Sequence, residues 1–280
     1  MIKFADKSMQ PKLKAIWQES FEDDELYMDF FYKNRFTEDN TLVWTEGENP
    51  VAMMTFLPAE MIIDGNPYHT KYVYGVATKP EYRGKGISTA LVNYAYKLAE
   101  SNNELLVLVP SSGRLFDFYK KCGYSTCFFI KELKINQKEF NQFPRLSYLA
   151  ANISAEEYKA LRDNSFMQDG YVCWDINAIE YVLRENDFCG GTTVKITHDS
   201  ETYILLYCQK GDILFVNETN LSKEIIFSVL SDIAVREECK AVYVRLNESY
   251  DLMLDSRPFG MIYPKICINT SLAYLNLTLD

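Results

Sequence analysis

Lys71-Tyr72-Val73-Tyr74-Gly75-Val76-Ala77-Thr78-Lys79-Pro80-Glu81-Tyr82-Arg83-Gly84-Lys85-Gly86-Ile87-Ser88 is the stretch whose reading decides the fold. Its first part is rich in aromatic and β-branched residues, the composition of a strand. Pro80 marks a turn and glycines stand at 84 and 86. Ile87, Ala90, Leu91, Tyr94, Ala95 and Leu98 then share one face of a helix running to about Glu100. A strand that passes into a helix through glycines collects unpaired backbone N–H groups and the positive end of a helix dipole at one point, which suits a phosphate or pyrophosphate. Glycine lets an anion approach the backbone closely, and Arg83 and Lys85 add charge.

A second block follows about thirty residues later: Leu106-Val107-Leu108-Val109-Pro110, then Leu115-Phe116-Asp117-Phe118-Tyr119-Lys120-Lys121-Cys122-Gly123-Tyr124. Val76-x-Thr78-x-Pro80-x-Tyr82-Arg83-Gly84-Lys85-Gly86-Ile87 resembles the acyl-CoA-binding motif of the GCN5-related N-acetyltransferases. The second block resembles that family's next strand and helix, with its Phe-Tyr-x-x-x-Gly-Tyr ending. The resemblance is strongest over residues 1 to 135, and a fainter likeness to the two-domain, Eis-like branch extends over the whole chain.

The resemblance implies an acetyl-CoA-dependent N-acetyltransferase acting on a primary amine of a small molecule or peptide. In that reading the amides of Arg83, Gly84, Lys85, Gly86, Ile87 and Ser88 hold the pyrophosphate. The strand edge at Val76 and Thr78 pairs with the pantetheine arm, and a backbone N–H near Val76 or Ala77 faces the thioester oxygen. Tyr119 is the expected proton donor to the departing thiolate; Phe116, Tyr119 and Cys122 also form an ordinary apolar helix face. By residue type Glu22, Asp23, Asp24, Glu81 and His69 are candidate bases. In Eis-like relatives the terminal carboxylate enters the active site, which adds Asp280, although this chain is expected to lack their additional C-terminal domain. A catalytically silent acyl-CoA-binding module is the alternative reading.

Composition narrows the partners. The chain has 280 residues, 48% apolar, with a formal charge of −10, which argues against nucleic acid and favours cationic small molecules or Lys-bearing peptides. Seven cysteines without a C-x-x-C pair fit free thiols in a reducing cytoplasm, and two distant histidines make a metal site unexpected. No apolar run is long enough to span a bilayer and the N-terminus does not read as a signal peptide, so a soluble cytoplasmic protein without a membrane partner is expected. Exposed edge strands leave homo-oligomer formation open.

The fold class expected is α/β (α+β): tandem GNAT-like folds, each a mixed, mainly antiparallel twisted sheet flanked by helices. Helices at 11–21 and 26–32 are implied to lie over the acceptor groove. Strands at 41–45, 51–63 and up to Thr78 precede the glycine loop, and strands at 104–110 and 125–135 flank a helix at 113–122. Composition puts a first domain at 1–136, a linker at 137–145 containing Pro144, and a second domain at 146–280. There the order begins again, with a strand at 146–150, helices at 154–163 and 175–187, strands at 192–198, 202–208 and 212–217, a helix at 222–236, and strands at 241–246, 261–268 and 272–279. Where the first half carries its glycines, the second has Asn217-Glu218-Thr219-Asn220-Leu221-Ser222-Lys223-Glu224-Ile225. With no glycine and two acids, this degenerate copy is expected not to bind coenzyme; Ser222 reads as a helix N-cap.

Overall fold

The computed structural model describes residues 1–21 and 23–278. Its elements are β1 (Ile2–Phe4), α1 (Gln10–Phe21), α2 (Glu25–Arg35), β2 (Thr41–Glu46), β3 (Asn49–Ile63), β4 (Asn66–Thr78), α3 (Ile87–Asn102), β5 (Leu105–Leu108), α4 (Gly113–Lys121) and β6 (Ser125–Asn136). The chain continues through β7 (Leu149–Asn152), α5 (Ala155–Phe166), β8 (Val172–Cys173), α6 (Ile176–Phe188), β9 (Thr192–His198), β10 (Glu201–Lys210), β11 (Ile213–Thr219), α7 (Ile226–Arg236), β12 (Ala241–Asn247) and β13 (Ser256–Tyr263). Local chemistry sets several boundaries. The side chains of Asp24, Ser154 and Asp175 accept from the amides of Tyr27, Glu157 and Ala178 and so cap α2, α5 and α6. Asp64 and Gly65, both at positive φ (49° and 75°), turn β3 into β4.

The chain divides into two compact units, one of residues 1–61, 67–126 and 260–267, the other of residues 62–66, 127–259 and 268 onward. In the first the strand order is β1-β2-β3-β4-β5-β13, with β4 and β5 parallel across α3 and the β1/β2, β2/β3 and β5/β13 pairs antiparallel. Its core joins Leu42, Met54 and Val73 from the sheet to Leu91 and Ala95 of α3 and to Tyr119 and Tyr124. Of the apolar face expected on α3, Ala90, Tyr94 and Leu98 are only half-buried, while Val92, Tyr96 and Ala99 are buried. The buried arc is wider than one stripe because Tyr96 also stacks on Tyr263 of β13 and packs against Tyr124.

The second unit repeats this plan in the order β7-β9-β10-β11-β12-β6, with β11 and β12 parallel across α7 and the other pairs antiparallel. The last strand of each sheet comes from the other half of the sequence. β6, which by chain order would follow β5, pairs with β12, and Met261–Tyr263 of β13 pair with β5. The division of contacts therefore does not fall in the 137–145 segment. That stretch lies within the second unit, where Phe140 is buried beside α7 and Phe143 stacks on Phe227 at 4.9 Å. Two other expectations are corrected. Residues 272–278 form a single bridge, Tyr171 to Tyr274, in place of a strand. Ser222 heads a turn, its carbonyl accepting from Ile225 and Ile226, and the helix begins at Ile226.

The interior of the second unit is built round a buried ion pair. Arg162 and Glu218 are both fully buried, with Arg162 Nε 3.1 Å from Glu218 Oε1. Tyr274 and Tyr158 donate to the two oxygens of Glu218 at 2.7 and 2.6 Å. Arg162 Nη1 reaches the Tyr171 hydroxyl, which donates to Asp163 Oδ1 at 2.6 Å. Such a pair roughly balances its own desolvation when intact, but removing one partner strands the other charge. Glu218→Ala is therefore expected to cost about 3–5 kcal/mol in urea unfolding, and a variant as stable as the wild type would contradict the arrangement.

Candidate functional site

In the first unit β4 runs on past the end of its parallel neighbour β5, and this unaccompanied end of β4 forms one side of a wedge. Register between β4 and β5 runs from Thr70 opposite Leu105 to Tyr72 opposite Val107 and goes no further, while β4 continues to Thr78. Three residues beyond the last registered pair sits Gly75, at φ +59°. A Cβ there would lie 3.5 Å from the Trp17 ring, so the bend brings the backbone of β4 close under α1. Val76 lies half-buried beyond this bend, with Ala77 and Thr78 buried behind it.

Where β4 ends, the backbone turns without satisfying itself. A 3-10 turn at Pro80–Tyr82 closes through Tyr82 N–H to the Lys79 carbonyl (2.9 Å) and Arg83 N–H to the Pro80 carbonyl (3.2 Å). The first bond into α3 is Ala90 N–H to the Gly86 carbonyl. Between them the amides of Gly84, Lys85, Gly86, Ile87 and Ser88 find no acceptor among the described residues. Gly84 and Gly86 have φ of +74° and +78°, and a Cβ on either would meet nothing within 4 Å. Unbonded amides thus stand at the positive end of α3, with open space where side chains at 84 and 86 would lie, an arrangement an anionic group fits.

The side chains here divide their work. Arg83, expected at the pyrophosphate, spends its amide on Pro80 and its Nε on the Thr78 carbonyl (2.9 Å), so it braces the loop. Thr78 and Ser88 join their hydroxyls at 2.9 Å, tying the strand end to the helix start. Lys85 lies over the Tyr82 ring at 4.8 Å.

Tyr119 comes to the same unit from α4. It is 6% exposed, packed edge-on to Phe118 and Tyr124, and its hydroxyl has no hydrogen-bond partner among the described residues. Burial, helped by the Cys122 thiol, pushes its phenol well above the usual tyrosine range. A Schellman-type end to α4 fixes its position: Gly123 at φ +97° lets the Tyr124 amide donate back to the Tyr119 carbonyl at 3.0 Å.

The candidate bases are not gathered at the wedge. Asp24 is committed to the α2 cap and Asp23 accepts from the Trp17 indole N–H at 2.7 Å. His69 is exposed, seven residues back along β4 from Val76, roughly 20 Å by strand rise. Glu81 is exposed on the turn, and Glu22 and Asp280 lie outside the described residues. Trp17, Phe31 and Tyr32 are buried beneath α1 and α2, with Trp17 and Phe31 set against Tyr74 at 5.5 and 5.4 Å. Sequence reading missed this contact, for which the lone glycine inside a strand was the available signal. Among the described residues no cluster of His, Cys, Asp or Glu could hold a metal, and no helix is long and apolar enough to cross a membrane.

The corresponding corner of the second unit is filled by its own chain. Register between β11 and β12 stops at Val216 opposite Val244. Beyond it Asn276 donates to the Asn217 carbonyl at 2.7 Å and accepts from Arg245 at 3.1 Å, while Leu221 and Ile225 are buried in the loop before α7.

Residues 1–127 match the family model described as an acetyltransferase (GNAT) domain. The fold is shared with a GCN5-related N-acetyltransferase from Anabaena variabilis (18% identity, TM-score 0.73, 94% of this chain and 72% of that one). It is shared also with a probable N-acyltransferase from Enterococcus faecalis (15%, 0.72, 94% and 72%) and with Eis1 from Mycobacterium abscessus (12%, 0.68, 94% and 73%). These likenesses show a tandem, Eis-like fold; no curated protein matches the sequence.

The burial of Tyr119 makes a direct prediction. Its ¹³Cζ resonance, assigned through its loss in Tyr119→Phe, is expected not to titrate up to about pH 10, where an exposed tyrosine is half ionised. A midpoint at or below that value would show the phenol to be solvated.

Proposed function

Given that residues 1–127 belong to the acetyltransferase (GNAT) family, we propose that the protein is an acetyl-CoA-dependent N-acetyltransferase. It passes the acetyl group to a primary amine of a small molecule or peptide by direct attack on the thioester. The observation that carries this reading is the run of uncommitted amides at Gly84 to Ser88, set beside the wedge that opens at Gly75.

The pyrophosphate is held by the amides of Gly84, Lys85, Gly86, Ile87 and Ser88, with the Lys85 ammonium adding charge. The edge of β4 at Val76 and Thr78 receives the pantetheine amides as an added strand would. The N–H of Val76 or Ala77 polarises the thioester carbonyl. The amine nitrogen then bonds to the carbonyl carbon, the C–S bond breaks with its electron pair going to sulfur, and Tyr119 supplies the proton that makes the thiol. The nitrogen loses its proton to water, since Asp23 and Asp24 are already engaged and His69 is remote. The second unit takes no coenzyme, its equivalent wedge being occupied by Asn276. A charge of −10 favours a cationic acceptor, and the reading places the protein in the cytoplasm.

Gly86→Asp puts a Cβ and a carboxylate where the anion is held, and is expected to weaken acetyl-CoA binding in calorimetry by about a hundredfold or more, some 3 kcal/mol. Unchanged affinity in a folded variant would refute the assignment of the loop. Tyr119→Phe is expected to lower kcat by about 10²–10⁴-fold with acetyl-CoA affinity retained. Turnover equal to that of the wild type would remove Tyr119 from the mechanism.

A further inference from the structure

The second unit holds an amine and a thiol in direct contact, and the transferase reading uses neither. Nζ of Lys159, on α5, lies 3.3 Å from Sγ of Cys173, which ends β8. The same Nζ lies 2.6 Å from Oδ2 of Asp163, one turn further along α5. All three side chains are half-buried, so small solutes reach them. Buried groups hold both sides of the contact in place. Tyr171 donates to the other Asp163 oxygen at 2.6 Å, and Arg162 Nη1 donates to the carbonyl of Val172, next to Cys173, at 3.3 Å.

A lysine four residues before an aspartate on a helix is an ordinary ion pair. The thiol at the same nitrogen adds chemistry that the ion pair lacks. Besides Lys159 Nζ, Cys173 Sγ approaches the Trp174 carbonyl at 3.8 Å, and all seven cysteines are free. Burial and the Asp163 carboxylate hold the thiol above its usual range, while the Lys159 ammonium opposes them. The thiol is thus protonated at rest, with a cation in contact to stabilise a thiolate as it forms. Peroxide converts a thiol to a sulfenic acid, whose sulfur condenses with a neighbouring nitrogen; without such a neighbour, further oxidation to the sulfinic acid is irreversible.

We propose that peroxide joins Lys159 and Cys173 in a reversible cross-link, a sulfenamide bond from Nζ to Sγ that fastens α5 to β8. The atoms balance in two steps. Sγ attacks a peroxide oxygen, the O–O bond breaks, and the thiol becomes a sulfenic acid with release of water. Nζ then gives one proton through Asp163 Oδ2 to solvent and attacks Sγ. The S–N bond forms, the S–O bond breaks, and the hydroxide leaves as a second water with another Nζ proton. Sulfur has given up two electrons and peroxide has taken them. A dithiol returns amine and thiol and is itself oxidised to a disulfide.

The test treats the full chain with hydrogen peroxide and reads the products by peptide mass spectrometry. Cleavage after Glu157 and Glu180 releases residues 158–180, which carry both partners. This peptide is expected to be lighter by two hydrogens, to resist fragmentation between 159 and 173, and to regain its mass with dithiothreitol. Lys159→Arg keeps a cation beside Asp163 but removes the amine, and Cys173→Ser removes the sulfur; neither is expected to form the link. When dimedone is present during oxidation, it is expected to label Cys173 severalfold more in Lys159→Arg than in the wild type, because the amine no longer competes for the sulfenic acid. Equal labelling in the two proteins would overturn the proposal. So would wild-type Cys173 ending as a sulfinic acid or in a disulfide, or a link that retains an oxygen between nitrogen and sulfur. No acetyl-CoA enters the experiment, so its failure leaves the acetyltransferase reading where it stands.

Discussion

The interaction on which the first unit turns is the one its helix start leaves open, since the first amides of a helix have no acceptor within the helix itself. From Gly84 to Ser88 the chain leaves a consecutive set of them without one. Glycines at positive φ keep side chains away from these donors, and Arg83 braces the turn through the Thr78 carbonyl. The second unit, with the same strand order and its own parallel pair, resolves the same corner oppositely. Its loop buries Leu221 and Ile225, the Leu221 amide donates to the Thr219 hydroxyl, and Asn276 takes up the Asn217 carbonyl. One architecture thus yields a glycine loop open above its backbone in one unit and a loop packed with its own side chains in the other.

The second unit also shows what closure requires. Glu218 stands at the end of β11, topologically where Ala77 and Thr78 stand at the end of β4, and its burial is met by Arg162, Tyr158 and Tyr274. A carboxylate at that place would repel an anionic ligand, and here it organises the interior. The first unit keeps small, neutral residues at the end of its strand. Its buried polar chemistry lies instead among Tyr96, Tyr119 and Tyr124, where the Tyr124 hydroxyl is buried without a partner.

Much of the first unit was legible in the sequence because its signals are local. Gly84 and Gly86 announce positive φ, Pro80 the turn, and the apolar spacing after Ile87 the helix; the run from Lys71 to Ser88 accordingly sits on strand, loop and helix as read. What was not legible depends on residues distant in sequence. That β6 pairs with β12 while β13 pairs with β5 follows from long-range competition between edges of similar composition, which periodicity does not encode. Tyr263 joins Tyr96 and Tyr124 only through that exchange. The bracing role of Arg83 was likewise hidden, because a positively charged residue beside two glycines reads as an anion ligand until its partner is seen.

The account stands or falls on where a coenzyme touches the backbone. Amide chemical-shift mapping of the full chain by NMR, with acetyl-CoA added, addresses this directly. The account predicts large changes at Gly84 to Ser88 and along Val76 to Thr78, with Asn220 to Ile226 unmoved. Changes centred on Asn220 to Ile226, or none at Gly84 to Ser88 at saturating acetyl-CoA, would contradict it.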